Sequence, residues 1–174
     1  QVLVEKSLMF AVPNGLDVDR AALTEPMAVA LHAVRRSRIK SNEPAIVIGC
    51  GPVGLGVILM LKAAGVKTVI ASDFSPNRRQ LAKQCGADYV IDPKTESPFA
   101  SWKEFGLLGD ASEALNFGLG LFEKVQSIPV PWWHAWRIAD KLGAMPKRPV
   151  IFECVGVPGV LQQIIEGAPL FSSI

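Results

Sequence analysis

A glycine-rich turn between a short apolar run and an apolar helical stripe constrains the fold of this chain more than any other feature of its sequence. The run Ala45–Ile48 leads into the turn Gly49-Cys50-Gly51-Pro52-Val53-Gly54. In a strand–turn–helix setting this spacing predicts a phosphate-binding loop. Gly49 permits a tight turn, Gly51 leaves the backbone open to a pyrophosphate, and Gly54 lets the helix approach the strand. Taken alone, such a turn is equally compatible with a protein that binds no ligand.

An acidic residue at the end of the next apolar run favours the ligand-binding interpretation. Asp73 lies 19 residues after Gly54, where a dinucleotide site places the carboxylate that holds the adenosine ribose. A carboxylate there accepts hydrogen bonds from the ribose hydroxyls and repels a 2′-phosphate, so the sequence predicts NAD rather than NADP. Arg78 and Arg79 leave NADP open, because either could pair with a 2′-phosphate. The alternative is that both are solvated charges on the next helix.

Alternating apolar runs and helical stripes predict the fold class, an α/β doubly wound parallel sheet (a Rossmann fold). Strands that are apolar along their whole length indicate a sheet that helices cover on both faces. We expect the sheet to stop after the start of a fifth strand near Phe171. The four complete strands are predicted at residues 45–48, 68–71, 89–91 and 150–155.

The segment 99–148 is predicted to be a helical insertion, because a crossover between parallel strands usually needs only a dozen residues or so plus a loop. It contains one predicted helix at 111–125 and a second after Pro131. The second helix begins with a tryptophan cluster formed by Trp132, Trp133 and Trp136. We expect the open flank of the fourth strand either to pair with another copy of the chain or to be covered by this tryptophan cluster.

Composition narrows the classes of partner and the cellular compartment. The chain has 174 residues, 18 Lys plus Arg, 16 Asp plus Glu and a formal net charge of +2, without a concentrated basic stretch. We therefore expect neither a nucleic-acid nor a membrane partner. Cys50, Cys85 and Cys154 lack metal-ligand spacing and fit a reduced, cytoplasmic protein. Because the chain begins without Met and ends in an apolar stretch, we expect it to be part of a longer protein.

Five sequence blocks, taken in order, carry a family resemblance. They are Glu25-Pro26-Met-Ala-Val-Ala-Leu-His-Ala-Val, Ile-Gly-Cys-Gly-Pro-Val-Gly-Leu-Gly, Ala-Ser-Asp-Phe-Ser-Pro-Asn-Arg, Cys-Gly-Ala-Asp-Tyr-Val-Ile and Phe-Glu-Cys-Val-Gly-Val-Pro-Gly. Together they resemble the medium-chain, zinc-dependent alcohol dehydrogenases. The resemblance spans 13–98 and 149–174 and leaves out the insertion. It implies that residues 1–24 end a catalytic domain and that 25–174 form an NAD-binding domain, and it points to no particular substrate.

The resemblance also implies roles for single residues. Val53 is expected to press on the nicotinamide, while Arg78 and Val155 lie along the adenosine ribose. Pro52 belongs to the cofactor-binding turn. Glu25 falls at a position that is a zinc ligand in the polyol-type branch of the family; the alternative is a carboxylate favoured by the positive end of its helix dipole.

The implied activity is reversible oxidation of a small-molecule alcohol to an aldehyde or ketone by an oligomeric enzyme with NAD and zinc. Zinc polarises the alcohol oxygen and the nicotinamide accepts the hydride, and this chain would supply only the cofactor half. Two other interpretations stay open. One is a zinc-free quinone or enoyl reductase that uses NADPH, against which Asp73 and Glu25 argue. The other is an interaction module that holds a partner through the tryptophan-rich insertion.

Overall fold

The computed structural model describes residues 3–99, 105–126, 131–141 and 145–174. Four strands lie in this part of the chain: β1 (Ala45–Ile48), β2 (Val69–Ser72), β3 (Tyr89–Ile91) and β4 (Val150–Glu153). They are all parallel and form one sheet in the order β3-β2-β1-β4. A doubly wound dinucleotide-binding sheet has the same order over its first four strands. The predicted fold class is therefore confirmed.

Helices connect the strands and cover both faces of the sheet. A short 3-10 helix at Lys6–Leu8 precedes them. The two helices predicted within the insertion, at 111–125 and after Pro131, are found at Ala111–Gln126 and Trp132–Lys141. The helices are α1 (Val18–Ala21), α2 (Thr24–Ser37), α3 (Pro52–Ala63), α4 (Pro76–Gln84), α5 (Ala111–Gln126), α6 (Trp132–Lys141) and α7 (Val160–Gly167).

Proline and serine determine where the two helices nearest the carboxyl edge of the sheet begin. Pro52 opens α3 directly after Gly51, and Pro76 opens α4. A proline costs little there, because the N–H that it lacks has no partner within the helix. The Ser75 side chain accepts a hydrogen bond from the Arg78 N–H at 3.5 Å, which caps α4. Both helices consequently start beside the strand ends, where a ligand can reach their N-termini.

Alternate residues of β1, β2 and β4 enter two apolar layers, and β3 contributes Ile91 to one of them. On one face Val47 of β1 packs in a cluster with Ile58 and Leu61 of α3. On the other face Ile46 belongs to a cluster with Ile164 of α7. These side chains are all buried, and burial of a side chain of this size contributes about 1.5–3 kcal/mol. Coverage of both faces explains why the strands are apolar throughout rather than alternating.

The flank of β4 is paired by residues near the end of the chain. Ser173 forms a parallel bridge with Val150. The Ile151 N–H donates to the Ser173 carbonyl oxygen at 2.8 Å, and the Ser173 N–H donates to the Pro149 carbonyl oxygen at 3.0 Å. This bridge lies where the sequence predicts a fifth strand to start, although it does not extend into a full strand within the described residues.

The predicted insertion contains α5 and α6, which contact each other. Trp133 is half-exposed on α6. The side chains of Trp132 and Trp136 lie outside the described part of the chain, so coverage of β4 by the tryptophan cluster stays a prediction. The domain boundary at residue 25 likewise stays a prediction. Within the described ranges, every helix is too short or too polar to cross a membrane.

We predict that deletion of residues 171–174 will make the protein associate more strongly than the parent chain. The deletion removes both backbone hydrogen bonds on the flank of β4, and an unpaired strand edge is a template for another chain. Light scattering over a range of concentrations measures the effect. Ser173→Ala keeps the backbone bonds and should match the parent. A deletion variant whose mass equals that of the parent at every concentration would contradict the prediction.

Candidate cofactor-binding cleft

A cleft of about 1160 Å³ opens at the carboxyl edge of the sheet. The segments that follow β1, β2 and β4 all line it. The chain passes from β1 to β2 on one side and later crosses to β4 on the other side, so the cleft lies at the point where the strand order reverses. In open α/β sheets, ligands bind outside the strand ends at this point.

Two glycines bring the turn after β1 close to its neighbours. Gly49 has a φ of +92°, and a Cβ there would lie 2.7 Å from Val155 Cγ2 and 3.1 Å from the Cys154 carbonyl group. A Cβ on Gly54 would overlap the carbonyl oxygen of Gly49. A larger residue at either position would force the turn apart from β4 or from α3. These glycines therefore shape the backbone, as the sequence predicts.

Gly51 has a different environment, because it faces the cleft. A Cβ built on Gly51 meets no atom within 4 Å, and the residue lines the cleft. Gly51 is the N-cap of α3, and because it has no side chain it cannot cap the N–H groups of the first turn. The first turn of a helix leaves N–H groups without partners inside the helix. The open space at Gly51 gives an anion such as pyrophosphate access to those groups.

The Asp73 carboxylate lies directly after β2 and is almost buried, with 8% of the residue exposed. Its Oδ2 accepts a hydrogen bond from the Cys50 N–H at 2.8 Å, and its Oδ1 accepts one from the Ser75 N–H at 2.8 Å. A carboxylate has about four acceptor positions. Asp73 also lines the cleft, so each oxygen keeps acceptor capacity for a ligand hydroxyl.

The two arginines that follow Asp73 have different environments. The Arg78 side chain is 57% exposed and lines the cleft, with Nη1 3.7 Å from Asp73 Oδ2. The Arg79 side chain is only 18% exposed. Its Nη1 donates to the carbonyl oxygens of Asp73 and Phe74 at 2.8 and 3.0 Å, and its Nη2 lies 2.9 Å from Asp92 Oδ2. Arg79 is thus engaged by protein groups, whereas Arg78 faces the cleft.

The structure brings together some of the predicted site residues and leaves others aside. The residues Pro52, Val53 and Gly54 form the first turn of α3 next to the cleft lining. Glu25 is exposed in the first turn of α2 and does not line the cleft. The predicted residues that line the cleft are Gly49, Gly51, Asp73, Arg78 and Val155.

Two segments that line the cleft were not predicted. One is the loop 93–99 after β3, and the other is a face of α7 that includes Val160 and Gln163. The position of the loop could have been inferred, because all strands of a parallel sheet end at the same edge. The position of α7 could not, since it depends on how Val160 and Ile164 pack against the apolar layer that contains Ile46.

Two thiols are held in their neutral form: Cys50, which is buried in the glycine turn, and Cys154, which lines the cleft. Burial raises the pKa of the Cys50 thiol to about 12, and the Asp73 carboxylate adds to this rise. Burial also raises the pKa of Cys154 to about 11, with a further contribution from Glu153. The described cysteines are all free of disulfides. Because the thiolate is the reactive form, we expect both thiols to be unreactive near neutral pH.

Glu25 is the one residue of this chain that is predicted to be a metal ligand. Within residues 3–99, 105–126, 131–141 and 145–174, no three His, Cys, Asp or Glu side chains lie close enough together to hold a metal ion. An exposed carboxylate does not by itself make a zinc site, which needs about four ligands. The role of Glu25 as a zinc ligand stays a prediction.

We predict that Gly51→Val will abolish NAD binding and leave folding intact. The φ of −74° at Gly51 suits valine, and the added side chain would enter open space in the cleft rather than the core. Calorimetry with NAD and thermal unfolding measure the two effects. Gly54→Ala is the matched control, since its Cβ overlaps the Gly49 carbonyl oxygen and should destabilise the fold by about 1–3 kcal/mol. A folded Gly51→Val protein with the parent affinity would contradict the prediction.

We predict that alkylation of Cys154 by iodoacetamide will be slow at pH 8 and about tenfold faster for each pH unit up to its pKa, because the thiolate fraction rises in this way. Saturating NAD should slow the reaction further, since Cys154 lines the cleft. Mass spectrometry of the modified peptides provides the rates. Cys85, which does not line the cleft, serves as the internal control. Protection of Cys85 equal to that of Cys154 would speak against a local effect.

Comparison with known proteins shows what this fold resembles. Residues 52–114 match the family model for zinc-binding dehydrogenases. The chain is 39% identical to (R,R)-butanediol dehydrogenase of Bacillus subtilis over 129 residues, which are 74% of this chain and 35% of that protein. It is 34% identical to sorbitol dehydrogenase of Ovis aries over 119 residues, which are 68% of this chain and 34% of that protein.

A solved structure agrees with these relatives. The crystal structure of 2R,3R-butanediol dehydrogenase from Bacillus subtilis matches with a TM-score of 0.55 and 34% sequence identity, over 94% of this chain and 36% of that chain. The chain thus spans about a third of the length of the curated relatives it matches. On the strength of the family-model match, the sequence identities and the shared fold, the chain belongs to the zinc-dependent medium-chain alcohol dehydrogenase family and has the fold of its NAD-binding domain.

Proposed function

We propose that the cleft binds NAD and that the chain is the cofactor-binding part of an alcohol or polyol dehydrogenase. The observation that carries the proposal is the joint placement of Gly51, Asp73 and Val155 around one cleft at the strand-order reversal. A glycine turn with no carboxylate near it would suit any anion. The turn and the acid together suit a dinucleotide, which has a pyrophosphate and an adenosine ribose.

Each part of NAD has a proposed contact in the chain. The pyrophosphate lies against Gly51 and the N-terminus of α3, where N–H groups and the helix dipole favour negative charge. Asp73 accepts hydrogen bonds from the hydroxyls of the adenosine ribose, and Arg78 and Val155 flank the same ribose. Val53, in the first turn of α3, contacts the nicotinamide. The space beside Gly51 and the acceptor capacity of Asp73 support this arrangement.

Asp73 also supports the choice of NAD over NADP. A 2′-phosphate would place negative charge beside a carboxylate that is 8% exposed, where repulsion is only weakly screened by water. Arg79 offers no compensation, because its guanidinium is bound to protein groups. Arg78 remains as a cation facing the cleft, and it already lies near Asp73.

The reaction of the complete enzyme is a proposal based on its relatives. Two of them are named as butanediol and sorbitol dehydrogenases, so we propose a small diol or polyol, or the corresponding carbonyl compound, as the substrate. A zinc ion held in the complete enzyme would polarise the alcohol oxygen. Glu25 is the proposed contribution of this chain to the zinc ligands. The part of the chain described here holds and orients the nicotinamide cofactor.

The charge and the cysteines of the protein support a proposal for its cellular compartment and its classes of partner. A net charge of +2 and the three free cysteines support a cytoplasmic enzyme without nucleic-acid or membrane partners. Within the described residues the flank of β4 opposite β1 is paired only at Ser173, and we propose that the rest of this flank contacts a second copy in a homo-oligomer.

We predict that Asp73→Ser will lower the affinity for NAD by about 10- to 100-fold, the usual value of a hydrogen bond to a charged group. Affinity for NADP should rise, because the repulsion of the 2′-phosphate disappears and Arg78 is released to pair with it. Calorimetric titration of both dinucleotides measures the ratio of their affinities.

The ratio of NAD to NADP affinity distinguishes a direct role of Asp73 in binding from a general loss of structure in the variant. Asp73 also holds the Cys50 and Ser75 N–H groups, so the variant should unfold more easily, and that effect weakens both dinucleotides alike. Asp73→Ser with Arg78→Ala should lose the gain in NADP affinity. A parent protein that already binds NADP as tightly as NAD would refute the assignment of Asp73.

A further inference from the structure

One arginine side chain joins two walls of the cleft. Arg79 lies in the first half of α4, and its guanidinium reaches back to the carboxyl edge of the sheet. There it donates to the carbonyl oxygens of Asp73 and Phe74 on one wall and pairs with Asp92 on the other. The side chains of Arg79 and Asp92 are 18% and 27% exposed, so water screens this ion pair less than a surface pair.

Asp92 organises the second wall. It directly follows β3, and its Oδ1 accepts a hydrogen bond from the Lys94 N–H at 3.0 Å. Its carbonyl oxygen accepts hydrogen bonds from the N–H groups of Thr95 and Glu96, both at 3.0 Å. The loop 93–99 that begins with these bonds lines the cleft. A shift of Asp92 would consequently move this wall.

The first wall carries the proposed ribose ligand. The Asp73 carbonyl oxygen is held by Arg79, while the Asp73 carboxylate is held by the N–H groups of Cys50 and Ser75. The backbone and the side chain of Asp73 are therefore fixed by different partners. Loss of Arg79 would release the Asp73 carbonyl oxygen. Asp73 would then be held by the 3.4 Å hydrogen bond from its N–H to the Ile91 carbonyl oxygen and by the Cys50 and Ser75 N–H groups, and these bonds would open more often.

We propose that Arg79 is a positioning residue for dinucleotide selectivity, and this inference rests on the proposed NAD-binding function. Through Asp92 it ties Asp73 to the loop 93–99 just beyond the last ladder hydrogen bond between β2 and β3, which runs from the Asp73 N–H to the Ile91 carbonyl oxygen. The unit from β1 to β3 is the mononucleotide-binding half of the fold, whose strand ends receive the adenosine. When Asp73 is fixed, its carboxylate stays beside the 2′ position of the ribose and repels a 2′-phosphate. When Asp73 is mobile, the carboxylate can move away and the repulsion is weaker.

The chemistry of the guanidinium suits this task. Its planar fork presents five donors, so it can serve two carbonyl oxygens and a carboxylate at the same time. A lysine at this position has a single ammonium on a flexible stem and can pair with Asp92 without also holding both carbonyl groups. We therefore expect Arg79→Lys to keep part of the selectivity and Arg79→Met to lose it.

The first test compares affinities for NAD and NADP in the parent, Arg79→Met, Arg79→Lys and Asp92→Asn. We expect Arg79→Met to lower the ratio of NAD to NADP affinity by about fivefold, the equivalent of one ordinary hydrogen bond. Asp92→Asn should lower the ratio in the same way, and Arg79→Lys should give an intermediate ratio. Arg79→Met combined with Asp92→Asn should lower the ratio little further than Arg79→Met alone, because both changes break the same contact. Lys83→Met, one turn further along α4 and exposed, controls for the lost charge. An unchanged ratio in Arg79→Met would overturn the proposal.

The second test needs no dinucleotide. Hydrogen exchange of the Ser75 amide and of the amides of residues 94–96 should speed up together in Arg79→Met, and not in Lys83→Met. Faster exchange in only one wall, or in neither, would overturn the coupling. A parent that binds neither dinucleotide would refute the proposed function and the selectivity role with it, while the exchange pattern still decides whether Arg79 joins the two walls. If Arg79→Met does not fold, Arg79→Lys provides both measurements.

Discussion

A hydrogen bond from the Cys50 N–H to Asp73 Oδ2, 2.8 Å long and buried, joins the glycine turn after β1 to the end of β2. The same carboxylate accepts the Ser75 N–H and so also fixes the start of α4. An almost buried carboxylate is costly unless it is hydrogen-bonded, and two N–H donors offset that cost. The glycine turn after β1 and Asp73 are therefore one bonded unit, and neither can shift without the other.

In the cleft, the residues that fix the backbone conformation of the turn differ from those that are open to a ligand. Gly49 and Gly54 are required by close contacts within the fold, whereas Gly51 leaves space for a ligand. The neutral thiols of Cys50 and Cys154 lie beside this turn without adding negative charge near a pyrophosphate, because burial raises the pKa of both. The cleft thus exposes Gly51, at the N-terminus of α3, and Asp73, which are the proposed partners of the phosphates and the ribose.

Arg78 and Arg79 show how tertiary structure separates residues that look alike in sequence. Both are cations on the same helix, and both were candidates for pairing with a 2′-phosphate. Arg79 is held by Asp92, which lies 13 positions further along the chain and arrives there through β3. Arg78 remains half-exposed beside Asp73. Their exposure differs because successive residues of a helix point in different directions, and because β3 brings Asp92 beside Arg79 and not beside Arg78.

The sequence by itself determined the parallel α/β fold class, the glycine turn and the acid after β2, because these depend on local spacing: apolar runs of strand length, a turn between strand and helix, and a carboxylate at a strand end. The family followed from the resemblance of five sequence blocks. Only the tertiary structure decided that α7 lines the cleft and that Arg79 joins two walls of it. Those features depend on contacts between residues far apart in the chain, which no local pattern encodes.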